Sequence, residues 1–192
     1  MSARGVGRWM AELSTFRLRP GDTAPDFALP GTDGRTWRLT DFADQRLLAV
    51  VFWCNHCPYV QAWEGRMVDL VRKFQAKGVG FALVNANDAS AYPTDSFESM
   101  VDRAREKRYP FPYLRDESQE VAHAYGALVT PHPMVFDAQR RLVFQGRIDD
   151  SHDHPERVHD RYLERALEQA LGGAAVRPAE LPVVGCTVKW RG

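Results

Sequence analysis

Val51-Phe52-Trp53-Cys54-Asn55-His56-Cys57-Pro58-Tyr59-Val60 is the stretch on which the reading of this chain turns. Leu47 to Trp53 is apolar throughout, the pattern of a strand buried on both faces at the centre of a helix-covered sheet. Downstream, Val60, Trp63, Met67, Leu70, Val71 and Phe74 recur at helical spacing. They give a helix from about Pro58 to Lys77 one apolar face, and Gly78 ends it. Cys54 and Cys57 therefore sit where a strand hands over to a helix. A helix start carries unpaired backbone N–H groups and partial positive charge, which favour a thiolate over a thiol. Pro58 fits the first helical turn because its missing N–H would have had no helical partner there. Two sulfurs at such a junction are equipped for thiol–disulfide exchange.

The flanking sequence extends this into an alternating α/β pattern. Ala24 to Leu29 and Trp37 to Leu39 read as an N-terminal hairpin around the Asp33-Gly34 turn. Val79 to Val84 reads as a second buried strand, leading into the loop Asn85-Ala86-Asn87-Asp88. A helix over Asp95 to Arg108 is expected with Thr94 as its N-cap. A short strand follows at Phe111 to Leu114, then a short helix from Ser118 to Tyr125 closed by Gly126. Met134 to Phe136 and Leu142 to Ile148 form an antiparallel hairpin, Pro155 to Leu171 the last helix, and 172–192 a Gly/Pro-punctuated tail. Strands alternating with helices predict a mixed, mostly parallel sheet with an antiparallel end.

At 192 residues the chain suits one domain with a full core. The expected organisation is a flexible N-terminal extension over 1–17, with a short helix at most around Trp9–Leu13, and a single domain over 18–192. Lys and Arg together number 25 and so do Asp and Glu, which leaves no net charge to attract nucleic acid or an acidic membrane. No run reaches the ~20 apolar residues of a membrane span. Arg8, Glu12, Arg17 and Arg19 interrupt every candidate leader, so a cytoplasmic location is expected. Three cysteines, Cys54, Cys57 and Cys186, are too few for a secreted disulfide scaffold and point to redox or metal chemistry.

These residues carry a family likeness. Gly21-Asp22-Thr23-Ala24-Pro25-Asp26-Phe27, Asp33-Gly34 and Leu39-Thr40-Asp41-Phe42 resemble the N-terminal hairpin of the redoxins, the thioredoxin-fold group that holds the AhpC/TSA peroxiredoxins. Cys54 to Val60, Gly146 to Asp150 and Gly185 to Trp190 resemble three motifs of a peroxiredoxin-like subgroup. The resemblance implies a thioredoxin fold with an N-terminal β-hairpin, an inserted α/β segment and a C-terminal tail. It implies that Thr130-Pro131 is the cis-proline loop, which keeps a backbone edge beside the sulfurs open to a substrate strand. It also relates Cys186 to a C-terminal cysteine of the subgroup, although a small side chain packed in a docked tail explains that residue as well.

The candidate site residues are Cys54, Cys57, His56 and Pro131. Cys54 is expected to be the more exposed sulfur and the attacking thiolate, with Cys57 as resolving partner. A protonated His56 adds a positive neighbour, which stabilises the reduced form and makes the disulfide more oxidising. Thiol–disulfide oxidoreduction is the leading expectation, with protein or small-molecule disulfides as substrates and a thioredoxin- or glutathione-type electron donor. The alternative is a thiol peroxidase with Cys54 peroxidatic and Cys57 or Cys186 resolving its sulfenate. Peroxiredoxins place a threonine hydroxyl three residues before the peroxidatic cysteine. Here that position holds Val51 for Cys54 and Cys54 for Cys57. Paired thiolates also suit a soft metal, as in copper-assembly proteins, but those carry C-x-x-x-C and a membrane anchor. Asp149-Asp150-Ser151-His152-Asp153-His154 and His159 offer metal donors in no recognised spacing and read as a solvated loop with a helix cap. Arg147 is a candidate for an anion contact near the sulfurs or a surface ion pair. No cofactor is implied.

Overall fold

The structure is a computed structural model that describes residues 15–192. The short helix expected around Trp9–Leu13 and most of the expected extension lie outside the described residues. In chain order the elements are β1 (Ala28–Pro30), β2 (Thr36–Arg38), β3 (Leu47–Phe52), α1 (Pro58–Gln75), β4 (Val79–Asn85), α2 (Phe97–Glu106), β5 (Tyr113–Arg115) and α3 (Glu120–Tyr125). They continue with β6 (Val129–Thr130), β7 (His132–Phe136), β8 (Leu142–Gln145), α4 (Tyr162–Leu171) and β9 (Cys186–Thr187). The main sheet runs β5-β4-β3-β7-β8, with β3, β4 and β5 parallel and β7 and β8 antiparallel to their neighbours. This is the expected thioredoxin fold, with β1 and β2 as a separate N-terminal hairpin.

The unbroken apolar run is explained by the position of β3, which is paired on both edges and covered on both faces. Alternate residues serve opposite layers. Ala49, Val51 and Trp53 pack with Val60, Trp63, Met67 and Phe74 of α1 and with Leu163 and Leu167 of α4. Leu48, Val50 and Phe52 pack with Leu29, Phe42, Tyr125 and Phe136. Each such large side chain taken out of water contributes about 1.5–3 kcal/mol, so β3 anchors both layers and holds its C-terminal end, where Cys54 follows, in one place.

Element ends depart from the sequence expectation where a side chain claims a backbone group. Helix α2 starts at Phe97 with Ser96, not Thr94, as N-cap, because Ser96 Oγ accepts the Ser99 N–H at 3.2 Å. Thr94 and Asp95 form a 3₁₀ turn, which frees the Asp95 carboxylate for the site described below. Ser96→Ala should cost about 1 kcal/mol in denaturant unfolding, the usual worth of such a cap. The last helix starts at Tyr162 rather than Pro155. Asp150 Oδ1 accepts the His159 N–H at 3.0 Å and Asp150 N–H donates to Asp160 O at 3.1 Å, which keeps 158–160 out of the helix after a 3₁₀ turn at Pro155–Arg157. Phe16, inside the segment expected to be loose, is buried with its ring 5.6 Å from that of His132.

The tail is docked. Residues 179–181 run along the free edge of β8, with Gln145 N–H donating to Ala179 O and Leu181 N–H to Gln145 O. Val183, Val184 and Val188 are buried. Lys189 N–H donates to Asn87 Oδ1 at 2.9 Å, and the Trp190 ring stacks on His123 at 4.0 Å.

Candidate active site

Cys57 is the N-cap of α1 and Pro58 its first residue. The second cysteine therefore faces the open backbone N–H groups and positive end of an 18-residue helix. Cys54 lies three residues earlier, against the cis-proline loop. Its Sγ is 3.1 Å from Thr130 Oγ1. Cys57 Sγ is 3.2 Å from the Thr130 carbonyl oxygen and 2.8 Å from Cys186 Sγ. The Thr130–Pro131 peptide bond is cis. All three cysteines are free.

Burial and charge separate the three sulfurs. Cys54 and Cys57 are both 0% exposed, and only Cys186 is partly exposed. The expectation that Cys54 is the more exposed sulfur is corrected by this packing. Burial pushes the Cys54 thiol well up, and the Asp95 carboxylate adds to the shift. Cys57 lies well below the ordinary thiol value, first through its contact with the Cys186 sulfur and then with that of Cys54, with backbone groups of Val60 and Cys186 adding to the effect. The Thr130 carbonyl oxygen beside Cys57 is an acceptor that suits the thiol, while the helix start suits the thiolate. The directions of the three shifts favour Cys57 as the first of these sulfurs to lose its proton. Cys186 is raised, first by its contact with Cys57 and then by burial, with Lys189 opposing.

The turn between the cysteines is fixed by a buried polar network centred on Asp95. Asn55 N–H donates to Asp95 Oδ1 at 2.6 Å, Asn85 Nδ2 to the same oxygen at 3.0 Å, and Asn87 Nδ2 to Asp95 Oδ2 at 3.0 Å. Tyr113 OH donates to Asn55 Oδ1 at 2.9 Å. Burial alone would raise the Asp95 carboxyl. The donors, His56 first, outweigh that and hold it below the usual carboxylate range. Sequence reasoning missed this network. The available signal was the polar run Asn85-Ala86-Asn87-Asp88 at the carboxyl end of a buried parallel strand, where open α/β sheets gather functional groups.

His56 pairs through Nδ1 with Asp95 Oδ2 and stacks on Tyr92, with ring centroids 5.0 Å apart. The contact with this buried carboxylate fixes the ring, and the pair positions the Asn55-His56 turn. Donor atoms of Cys54, His56 and Asp95 lie within 4.8 Å of one another. The two Asp95 oxygens already accept from two asparagine side chains, a backbone N–H and His56, so the set is organised as a hydrogen-bond hub. In the Asp/His loop, Asp149 accepts from Trp63 Nε1 at 2.8 Å and pairs with Arg66, and His152 lies 4.5 Å from the Tyr59 ring. Arg147 Nε donates to Pro182 O at 3.0 Å and so holds the tail.

The edge of the cis-proline loop does not stand open. Strand β9 pairs antiparallel with β6, Cys186 opposite Thr130 and Thr187 opposite Val129. The strand expected from a substrate is supplied by this chain's own tail.

The chain belongs to the AhpC/TSA family, whose model matches residues 20–145. Among curated relatives, the thiol-disulfide oxidoreductase ResA of Geobacillus thermodenitrificans is 32% identical over 116 residues, 60% of this chain and 61% of that protein. Peroxiredoxin Bcp of Escherichia coli is 29% identical over 109 residues, 57% of this chain and 65% of that protein. The match thus spans about three-fifths of the length of these relatives. The crystal structure of an uncharacterized conserved protein from Geobacillus kaustophilus has 39% identity and a TM-score of 0.88, over 97% of this chain and 98% of that one. The likeness to this structure takes in the tail, which lies beyond the family match. Among the described residues no helix is long and apolar enough to cross a membrane.

Proposed function

We propose that this protein is a thiol–disulfide oxidoreductase whose redox centre is the Cys54–Cys57 pair, with Cys57 as attacking thiolate and Cys54 as resolving thiol. The observation that carries the reading is Cys57 at the N-cap of α1, in contact with the Cys54 thiol. The Cys57 thiolate attacks one sulfur of a substrate disulfide and expels the other. Cys54 then attacks Cys57 Sγ, releases the second substrate thiol and closes the Cys54–Cys57 disulfide. A dithiol or glutathione-type donor returns two electrons. The names of the relatives ResA and Bcp, a thiol-disulfide oxidoreductase and a peroxiredoxin, support a thiol chemistry, and both kinds start from a stabilised thiolate.

One observation favours the peroxidase as second reading. The Thr130 hydroxyl lies 3.1 Å from Cys54 Sγ, so a hydroxyl absent from the local sequence reaches the sulfurs from the cis-proline loop. The two readings separate by mixing reduced protein with oxidised glutathione or with hydrogen peroxide and following tryptophan fluorescence, Trp53 being buried beside Cys54. The expected result is rapid, dithiol-reversible loss of two thiols with the disulfide and a free-thiol rate with peroxide. A peroxide rate on the order of 10⁴ M⁻¹s⁻¹ or more, within the enzyme range, would replace the first reading with the second.

A further inference from the structure

The geometry points to Cys186 as a third redox sulfur, through which an external dithiol re-reduces the buried pair by way of a Cys57–Cys186 disulfide. This rests on the thiol–disulfide reading above and adds the route by which electrons enter.

Three independent features place Cys186 for that task. Its Sγ lies 2.8 Å from Cys57 Sγ, inside the van der Waals separation of two unbonded sulfurs. It is the one sulfur of the three that is not fully buried. Its approach is built into the backbone. A Cβ on Gly185 would meet Thr130 O at 2.2 Å and Thr130 C at 2.8 Å, so only glycine lets the tail lie this close to the cis-proline loop. The β6–β9 pairing and the contacts of Lys189 with Asn87 and of Arg191 with Gln119 and Glu117 then hold the register.

The exchange balances without another reactant. After substrate turnover the disulfide joins Cys54 and Cys57. Cys186 gives up its proton and attacks Cys57 Sγ. The Cys57–Cys186 bond forms, the Cys54–Cys57 bond breaks, and the electron pair leaves on Cys54, which takes up a proton. Burial favours that protonated product. With Cys57 in a disulfide, the contact that chiefly keeps Cys186 protonated is gone, and Lys189 still favours its anion. A thiolate of the external dithiol then attacks Cys186 Sγ and expels Cys57, whose anion the Cys54 thiol and the start of α1 still favour, and a low leaving-group pKa speeds exchange. The second donor thiol displaces Cys186 from the mixed disulfide and closes the donor's own disulfide. Two electrons and two protons have passed from donor to enzyme.

The test is a disulfide map. Reduced protein is oxidised with one equivalent of oxidised glutathione, alkylated under acid quench and digested with trypsin without reductant. Cys54 and Cys57 fall in the peptide 47–66 and Cys186 in 166–189. The expected product joins the two peptides with one alkylated cysteine in 47–66. The link persists in Cys54→Ser and is lost in Cys57→Ser. Cys186→Ser is re-reduced by dithiothreitol at least tenfold more slowly than wild type. Gly185→Ala, checked by circular dichroism to be folded, loses the link but still closes the loop within 47–66. A loop within 47–66 alone, with Cys186 alkylated and Cys186→Ser re-reduced at the wild-type rate, would overturn this inference and leave the proposed function standing. A link that survives Gly185→Ala would overturn the placement argued from the backbone. Three alkylated cysteines in oxidant-treated wild type would overturn both readings.

Discussion

Cys57→Ser is expected to lower disulfide-exchange kcat/KM by at least about a thousandfold, the scale on which nucleophile deletions act. That corresponds to about 4 kcal/mol of transition-state stabilisation. The serine hydroxyl can occupy the N-cap position of α1, so helix and fold should survive, and circular dichroism should show it. What is lost is the one sulfur whose anion the site supports. Cys54 cannot replace it, because burial and the neighbouring Asp95 carboxylate hold its proton on. Cys186 cannot turn over alone, having lost its partner at 2.8 Å. A variant that keeps more than a tenth of wild-type exchange would show that the thiolate lies elsewhere. The order of attack would then return to Cys54 first.

The second large effect is on stability against pH and arises at His132, next to the cis-proline. This side chain is 0% exposed. Its Nδ1 accepts the Leu128 N–H at 3.3 Å and its ring lies against Phe16. Burial lowers its pKa to about 3, against roughly 6.5 for an exposed histidine. Between those values the unfolded chain binds a proton that the folded chain refuses. Stability is therefore full above about pH 6.5 and falls as the pH drops, at about 1.4 kcal/mol per unit. From pH 7 to pH 5 the loss is about 2 kcal/mol. His132→Asn keeps an acceptor for the Leu128 N–H, removes the titration and should flatten this slope, although the smaller side chain lowers stability at both pH values. Urea unfolding of both proteins at pH 7 and pH 5 measures the difference. Equal slopes for variant and wild type would assign the acid sensitivity to other groups.

How much of this was legible in the sequence depended on how far the deciding contacts reach. Leu47 to Trp53 announced its position because a strand covered on both faces is built mainly of apolar residues, and 3.6-residue spacing from Val60 to Phe74 marked the helix it feeds. The cis Thr130–Pro131 bond was accessible only through family likeness. That Cys57 rather than Cys54 caps the helix went unread for a local reason. Proline after Cys57 starts the helix one residue later than the pair, so the second cysteine, not the first, becomes the cap. Asp95 was unreadable because its partners lie at Asn55, His56, Asn85 and Asn87 in other elements. It was assigned to the helix that Ser96 in fact opens. The tail was hardest to read. Strand β9 has two residues, too few for periodicity, and only the pairing of Cys186 with Thr130 gives Gly185 and Cys186 their meaning.

The most direct test of the central claim is the ultraviolet absorbance of the thiolate as reduced protein is titrated from pH 9 down to pH 4. The account predicts that wild type keeps one thiolate per chain well below the ordinary thiol range, that Cys54→Ser keeps a thiolate at neutral pH, and that Cys57→Ser has none there. A wild-type thiolate that disappears near pH 8.5, where free cysteine titrates, or one that vanishes with Cys54 and survives loss of Cys57, would contradict it.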